Sequence, residues 1–113
     1  MTPNMLNTYV AADTHPDRLE SAKKSAFLQT SGQMDDYMSC ACELARSLNV
    51  SVCDCYSKWK KLSETQDTTM LLSNRINHPT AEMHNLFADM LFDMIFDEGT
   101  SEDARDNGTM YRG

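Results

Sequence analysis

Met83, Leu86, Phe87, Met90, Leu91, Met94 and Ile95 recur at three- and four-residue steps, the spacing that puts side chains on one face of an α-helix. Thr80 stands at the N-cap position with Glu82 in the first turn, and both an acceptor side chain and a negative charge favour a helix start there. A second stripe, Met34, Tyr37, Met38, Ala41, Leu44, Ala45 and Leu48, predicts another amphipathic helix that stops at Asn49. Each helix needs a surface to cover its apolar face. A chain of 113 residues has the length for one domain in which to do so. Its composition, 41% hydrophobic and 24% charged, excludes a wholly disordered or fibrous chain.

Between the two stripes, the run Val50-Ser51-Val52-Cys53-Asp54-Cys55 has the length and β-branched character of a short buried strand. Asp54 is placed to cap a following helix through Tyr56, Trp59 and Leu62, with Lys58, Lys60 and Lys61 toward its C-terminal end. A helix that feeds a short strand and then another helix predicts an α/β unit. Residues 11 to 32 are polar and broken by His15-Pro16-Asp17 and Thr30-Ser31-Gly32. They read as a surface loop, with a turn or two of helix at most between Asp17 and Leu28. From Glu98 onward the chain is polar and glycine-containing, and residues 98–113 are expected to form a disordered tail after a domain spanning 1–97.

A formal charge of −7 opposes binding to a phosphate backbone or an anionic bilayer, so no nucleic-acid partner is expected. No apolar run approaches the about 20 residues that span a membrane. The N-terminus has neither a basic nor an apolar leader segment, and Cys40, Cys42, Cys53 and Cys55 fall in two Cys-x-Cys pairs unlike a zinc or disulfide framework. The expected setting is therefore a reducing cytoplasm, although a leader on a longer parent chain would not be visible here. The cysteines are expected to be small buried apolar groups, since Cys40 and Cys42 diverge by about 200° on a helix and cannot share a site with Cys53 and Cys55. His84 and His15 lack a His-x-x-x-His partner, and no metal or cofactor is expected.

The sharpest chemical feature is His78-Pro79 directly before the capped helix. An imidazole held there by a proline is exposed, and histidine ordinarily titrates at about 6.5, which suits a general base. The surrounding run, Leu71-Leu72-Ser73-Asn74-Arg75-Ile76-Asn77-His78-Pro79-Thr80-Ala81-Glu82-Met83, resembles the C-terminal catalytic block of the SGNH hydrolases, also called GDSL-type esterases, in which Asn-His-Pro precedes the last helix. Thr2-Pro3-Asn4 resembles the segment after a central strand of that family, and the likeness extends over about residues 1 to 96.

The resemblance implies a partial three-layer α/β/α, flavodoxin-like fold with short parallel strands, its N-terminal part missing. It also implies hydrolysis of acyl or acetyl esters, on carbohydrates or lipids, with His78 as the base. In that mechanism a serine attacks the acyl carbon, the histidine takes and later returns the proton, and N–H donors hold the oxyanion. Two departures bear on activity. The family's acidic partner lies three residues before the histidine, where this chain has Arg75, leaving Asn74 as a hydrogen-bonding helper and Asn77 to shape the loop. There is also no Gly-Asp-Ser or Gly-x-Ser-x-Gly motif, so the nucleophile is absent and the chain alone is expected to be inactive. The competing expectation is a non-enzymatic small acidic α/β protein that self-associates or binds a partner through its Met-rich C-terminal helix.

Overall fold

The indole of Trp59 has no solvent exposure, and the chain is organised around it. In the computed structural model, which describes residues 1–97, Trp59 packs with the buried side chains of Met5, Tyr56 and Leu72. The partly buried Met34, Met38, Leu71, Met83, Leu86 and Phe87 surround this cluster. The Trp59 and Phe87 rings stack with centroids 6.4 Å apart at 24°, an arrangement worth about 0.5–1.5 kcal/mol beyond the area it buries. The tail expected at 98–113 lies outside the described residues.

The described residues form four α-helices, α1 (Leu19–Thr30), α2 (Gln33–Ser47), α3 (Cys55–Leu62) and α4 (Ala81–Asp97), of which α2, α3 and α4 contribute to this cluster. A 3₁₀ turn at Pro16–Arg18 leads into α1, and another at Thr68–Leu71 precedes the His78 loop. Helix α3 starts where its cap requires. The Asp54 carboxylate accepts from Ser57 N at 3.2 Å, from Ser57 Oγ at 2.6 Å and from Thr2 Oγ1 at 2.9 Å. Thr2 Oγ1 also accepts from Tyr56 N at 2.9 Å, which ties the N-terminal segment to the start of α3. None of the helices described is long and apolar enough to cross a membrane.

The expected α/β architecture does not form. Among the described residues there is no strand, and the β-type pairing is an isolated antiparallel bridge between Leu72 and Pro79. A strand exists through its ladder with a neighbour. The run from Val50 makes one backbone hydrogen bond to a distant segment, from Thr2 N to Cys53 O at 2.9 Å, so its β-branched side chains have propensity without an edge to pair with. The flavodoxin-like three-layer arrangement and its parallel strands are therefore set aside in favour of a helical fold.

Residues 19–30, expected as surface loop, are helical. Their apolar periodicity is weak because the face they bury is small and polar, carried by Ala22 and Gln29. Asn7 Nδ2 donates to Ala22 O at 2.9 Å, and Gln29 Oε1 accepts from Leu6 N at 2.8 Å. The chain then reverses into α2 at Gly32, whose φ of +89° lies in the left-handed region that suits glycine.

Along α2 the single predicted stripe divides. Met34, Met38, Cys42 and Ala45 turn inward, whereas Tyr37, Leu44 and Leu48 are more than 60% exposed. On α4, Met83, Leu86 and Phe87 in the first turns reach the Trp59 cluster, and Leu91, Ile95 and Phe96 further along are exposed. Two expected helices thus form, each with part of its apolar face uncovered.

A polar network holds α1, α2 and α3 together beside this core. Gln29 Nε2 donates to Tyr56 Oη at 2.7 Å, Tyr56 Oη donates to Asp35 Oδ1 at 2.6 Å, and Lys60 Nζ donates to Asp35 Oδ2 at 3.1 Å. The Tyr56 bond, with help from Lys60, holds the Asp35 carboxyl below its ordinary range, and burial pushes the Tyr56 hydroxyl up. A carboxylate with a depressed folded-state pKa stabilises the fold above its unfolded value of about 3.9, and that stabilisation disappears as pH falls through the folded value. Tyr56→Phe is expected to cost about 1–3 kcal/mol in chemical denaturation by removing the partner of Gln29 Nε2 and Asp35 Oδ1. Asp35→Asn should lower the thermal midpoint at pH 7 and flatten its decline below pH 4; an unchanged acid limb would contradict the assignment.

Candidate functional site

The loop that carries His78 is closed at its base by three backbone bonds. Thr80 N donates to Leu71 O at 3.0 Å, Ser73 N to His78 O at 2.6 Å, and Arg75 N to Leu72 O at 3.1 Å. Asn74 organises the interior. Its Oδ1 accepts from the backbone N–H groups of Ile76, Asn77 and His78 at 2.9–3.0 Å, while its Nδ2 donates to Asn77 Oδ1 at 2.8 Å. An asparagine used this way satisfies three donors that a short loop would otherwise leave to water. Ile76 is driven into the protein, and its carbonyl accepts from Asn7 N at 3.0 Å. Asn4 Nδ2 donates to Asn77 O at 3.1 Å.

Arg75 occupies the position where the resembled family has an acid, and it does different work. Its backbone is left-handed, with φ +63°, which costs a non-glycine residue about 1 kcal/mol or more. The side chain supplies compensation: Nη1 donates to Met70 O at 3.0 Å and Leu72 O at 2.9 Å, and the guanidinium grips the Asp13 carboxylate through Nε and Nη2 at 3.1–3.2 Å. This hydrogen-bonded pair holds Asp13 below the usual carboxylate range and Arg75 above its own. Asp13 was not legible as a partner in the sequence, because 62 residues separate the two and no local pattern links them.

His78 itself is exposed at the tip of this framework. Its backbone is committed at both ends, and among the described residues no side chain hydrogen-bonds its imidazole. Asn74, expected as a helper to the imidazole, instead serves the loop backbone and acts as a positioning residue. His78 is among the residues that line an open cleft of about 930 Å³, with Ser73 to Asn77 beside it and Asp13, His15, Asp17, Arg18, Ser21 and Ser25 supplying the other wall. Thr80 begins α4 as its sequence position implies, with Oγ1 accepting from Met83 N at 3.4 Å.

The cysteines, expected as buried apolar groups, are so in three of four cases. Cys40 is exposed, and Cys42, Cys53 and Cys55 are buried. Cys53 Sγ and Cys55 Sγ lie 3.9 Å apart, and burial together with the neighbouring Cys53 pushes the Cys55 thiol up to about 12, which disfavours the thiolate needed for nucleophilic attack or metal ligation. No cluster of three or more metal-ligating side chains exists among the described residues, and His84 packs its ring against Phe87 instead. Comparison with protein-family models, curated proteins and solved structures gives no match.

Two outcomes follow from this geometry. Asn74→Ala should destabilise the fold by about 1–3 kcal/mol and speed hydrogen exchange at the His78 amide, while Asn74→Asp, whose carboxylate accepts the same three bonds, should retain protection. Equal exchange in all three proteins would contradict the role given to Asn74. A chromogenic disulfide reagent added to the reduced native chain should titrate one thiol, Cys40, quickly and the other three only after unfolding.

Proposed function

We propose that His78 is the general base of an acyl-ester hydrolase whose serine nucleophile and oxyanion donors come from a segment outside these 113 residues. The observation that carries this reading is the uncommitted imidazole at the mouth of a cleft, on a loop whose other polar groups are tied down by Asn74, Arg75 and Asn4. A general base needs that combination of a fixed mount and a free ring nitrogen. The ester would lie between the loop and the incoming serine; His78 would accept the serine proton during attack and return it to the leaving alcohol. With Asn74 engaged by the backbone and Arg75 by Asp13, the orienting partner of the imidazole also has to come from the added segment.

The uncovered apolar side chains favour the same arrangement. Tyr37, Leu44 and Leu48 on α2, and Leu91 and Ile95 on α4, are large apolar groups left in water, as expected of a surface that another segment covers. They equally favour the second reading, a chain that self-associates or binds a protein partner without catalysis.

The two readings separate in one assay. The chain alone should hydrolyse p-nitrophenyl acetate at background, since loss of the nucleophile in a serine hydrolase forfeits about a million-fold in turnover. The product of the reading frame that joins it to its upstream codons should hydrolyse the ester, and His78→Ala in that product should reduce the rate by about a thousandfold or more. A stop codon without an upstream serine block, or activity indifferent to His78→Ala, overturns the hydrolase reading. Concentration-dependent sedimentation of the 113-residue chain would then favour the interaction reading.

A further inference from the structure

Tyr37, Ala41, Leu44 and Leu48 follow one another along α2 at steps of four, three and four residues, and fall within about 60° of one another around the helix. This seam lies about 90° around from the inward side of α2 and runs for about 16 Å. Tyr37, Leu44 and Leu48 are 63%, 61% and 65% exposed, and no charged residue interrupts the row. Alternating steps of three and four are the spacing by which two helices pack side by side, each side chain entering a gap in the other row. The border of the seam is small. It carries Cys40 and Ser47, and Ser47 Oγ already donates to Leu44 O at 2.7 Å. Beyond Leu48 the helix closes through Asn49, whose φ is +57°, with Val50 N donating to Ala45 O at 2.8 Å and Asn49 N to Arg46 O at 3.1 Å. Val50, the residue after this turn, is 55% exposed and adds to the apolar surface at the end of α2.

We infer that this seam docks a second copy of the chain, the two α2 helices lying antiparallel about a two-fold axis. The inference goes beyond the hydrolase reading and does not depend on it. None of the described residues that line the His78 cleft belongs to α2, so a segment that reaches His78 leaves this seam free. Shape, charge and area select the occupant. Antiparallel pairing sets Ala41 against Leu44 of the second copy and Tyr37 against Leu48 of the second copy, whereas parallel pairing would face two alanines across a gap. Asp35 and Asp36 stand in the first turn of α2 and Arg46 in the last. Antiparallel helices therefore bring the acidic end of one toward the basic end of the other and oppose their dipoles, and a parallel pair would join like ends. A cationic foreign partner finds no carboxylate on the seam itself. The exposed side chains of the two seams together amount to on the order of 1,000 Å², the lower end of the range for a specific contact, which sets a reversible dimer and not a permanent one. The charge of −7 on each copy opposes the approach, but at physiological salt it is screened beyond about 8 Å.

Sedimentation equilibrium of the full chain under reducing conditions should show monomer and dimer with a Kd on the order of 10–100 μM. Leu44→Asp, at a position already in water, should weaken pairing tenfold or more, and Leu91→Asp on α4 should leave it unchanged. Unaltered amide dispersion in the NMR spectrum of each variant reports that it is folded. Orientation is read by cross-linking in a Cys40→Ser background, which removes the one exposed thiol. Chains carrying Tyr37→Cys, mixed in a glutathione redox buffer with chains carrying Leu48→Cys, should form the mixed disulfide faster than either forms its own. A chain still monomeric at roughly tenfold the expected Kd, pairing indifferent to Leu44→Asp, or faster cross-linking of like positions each overturns the inference. In the joined hydrolase, Leu44→Asp should abolish pairing while His78-dependent turnover persists. Loss of that turnover would give the seam to the nucleophile-bearing segment and overturn the inference while upholding the hydrolase reading. Pairing through the seam in a protein without His78-dependent turnover overturns the hydrolase reading alone.

Discussion

Burial of Trp59 is the constraint on which the rest of the structure depends. The indole comes from α3, and the side chains that exclude water from it come from every other part of the described chain except α1: Met5 from the N-terminal segment, Met34 and Met38 from α2, Leu72 from the base of the His78 loop and Phe87 from α4. Helix α1 joins through polar bonds, by way of Gln29 and Tyr56. Leu72 and Pro79 pair across the loop, so anchoring Leu72 in the core also fixes where His78 stands. Position at the site follows from packing at the centre, since a close-packed core transmits the placement of one side chain to its neighbours.

What was legible in the sequence was what repeats locally. The stripes of α2 and α4 and the Asp54 and Thr80 caps depend on residues a few positions apart, and they form where the spacing puts them. The α1 helix was not legible because its buried face is Ala22 and Gln29, and its attachment runs through Asn7 and Leu6, far away in the chain. The expected strand failed for the converse reason. Val50, Val52 and the cysteines have strand composition, but a ladder needs a second edge, and one bond from Thr2 does not make one. The engagements of Asn74 and Arg75 were not legible either: the loop's own N–H groups take up the Asn74 side chain, and Arg75, left-handed in its backbone, binds nearby carbonyls and Asp13.

Several features are those of a surface made to be covered. Apolar side chains on α2 and α4 face water, and Trp59 Nε1 is buried with no acceptor among the described residues. A buried indole N–H without a partner is costly enough to call for an explanation. In the proposed hydrolase, the segment that brings the nucleophile to His78 would also cover the exposed face of α4; the buried Trp59 N–H is not explained by it.

The most direct measurement of that claim is fluorophosphonate labelling of the native protein captured from its source, followed by peptide mapping of the adduct. The proposal predicts one labelled serine in a peptide outside these 113 residues, held covalently or tightly with the His78 chain and unlabelled in His78→Ala. An adduct on Ser21, Ser25 or Ser73, or no adduct on any captured polypeptide, would contradict it.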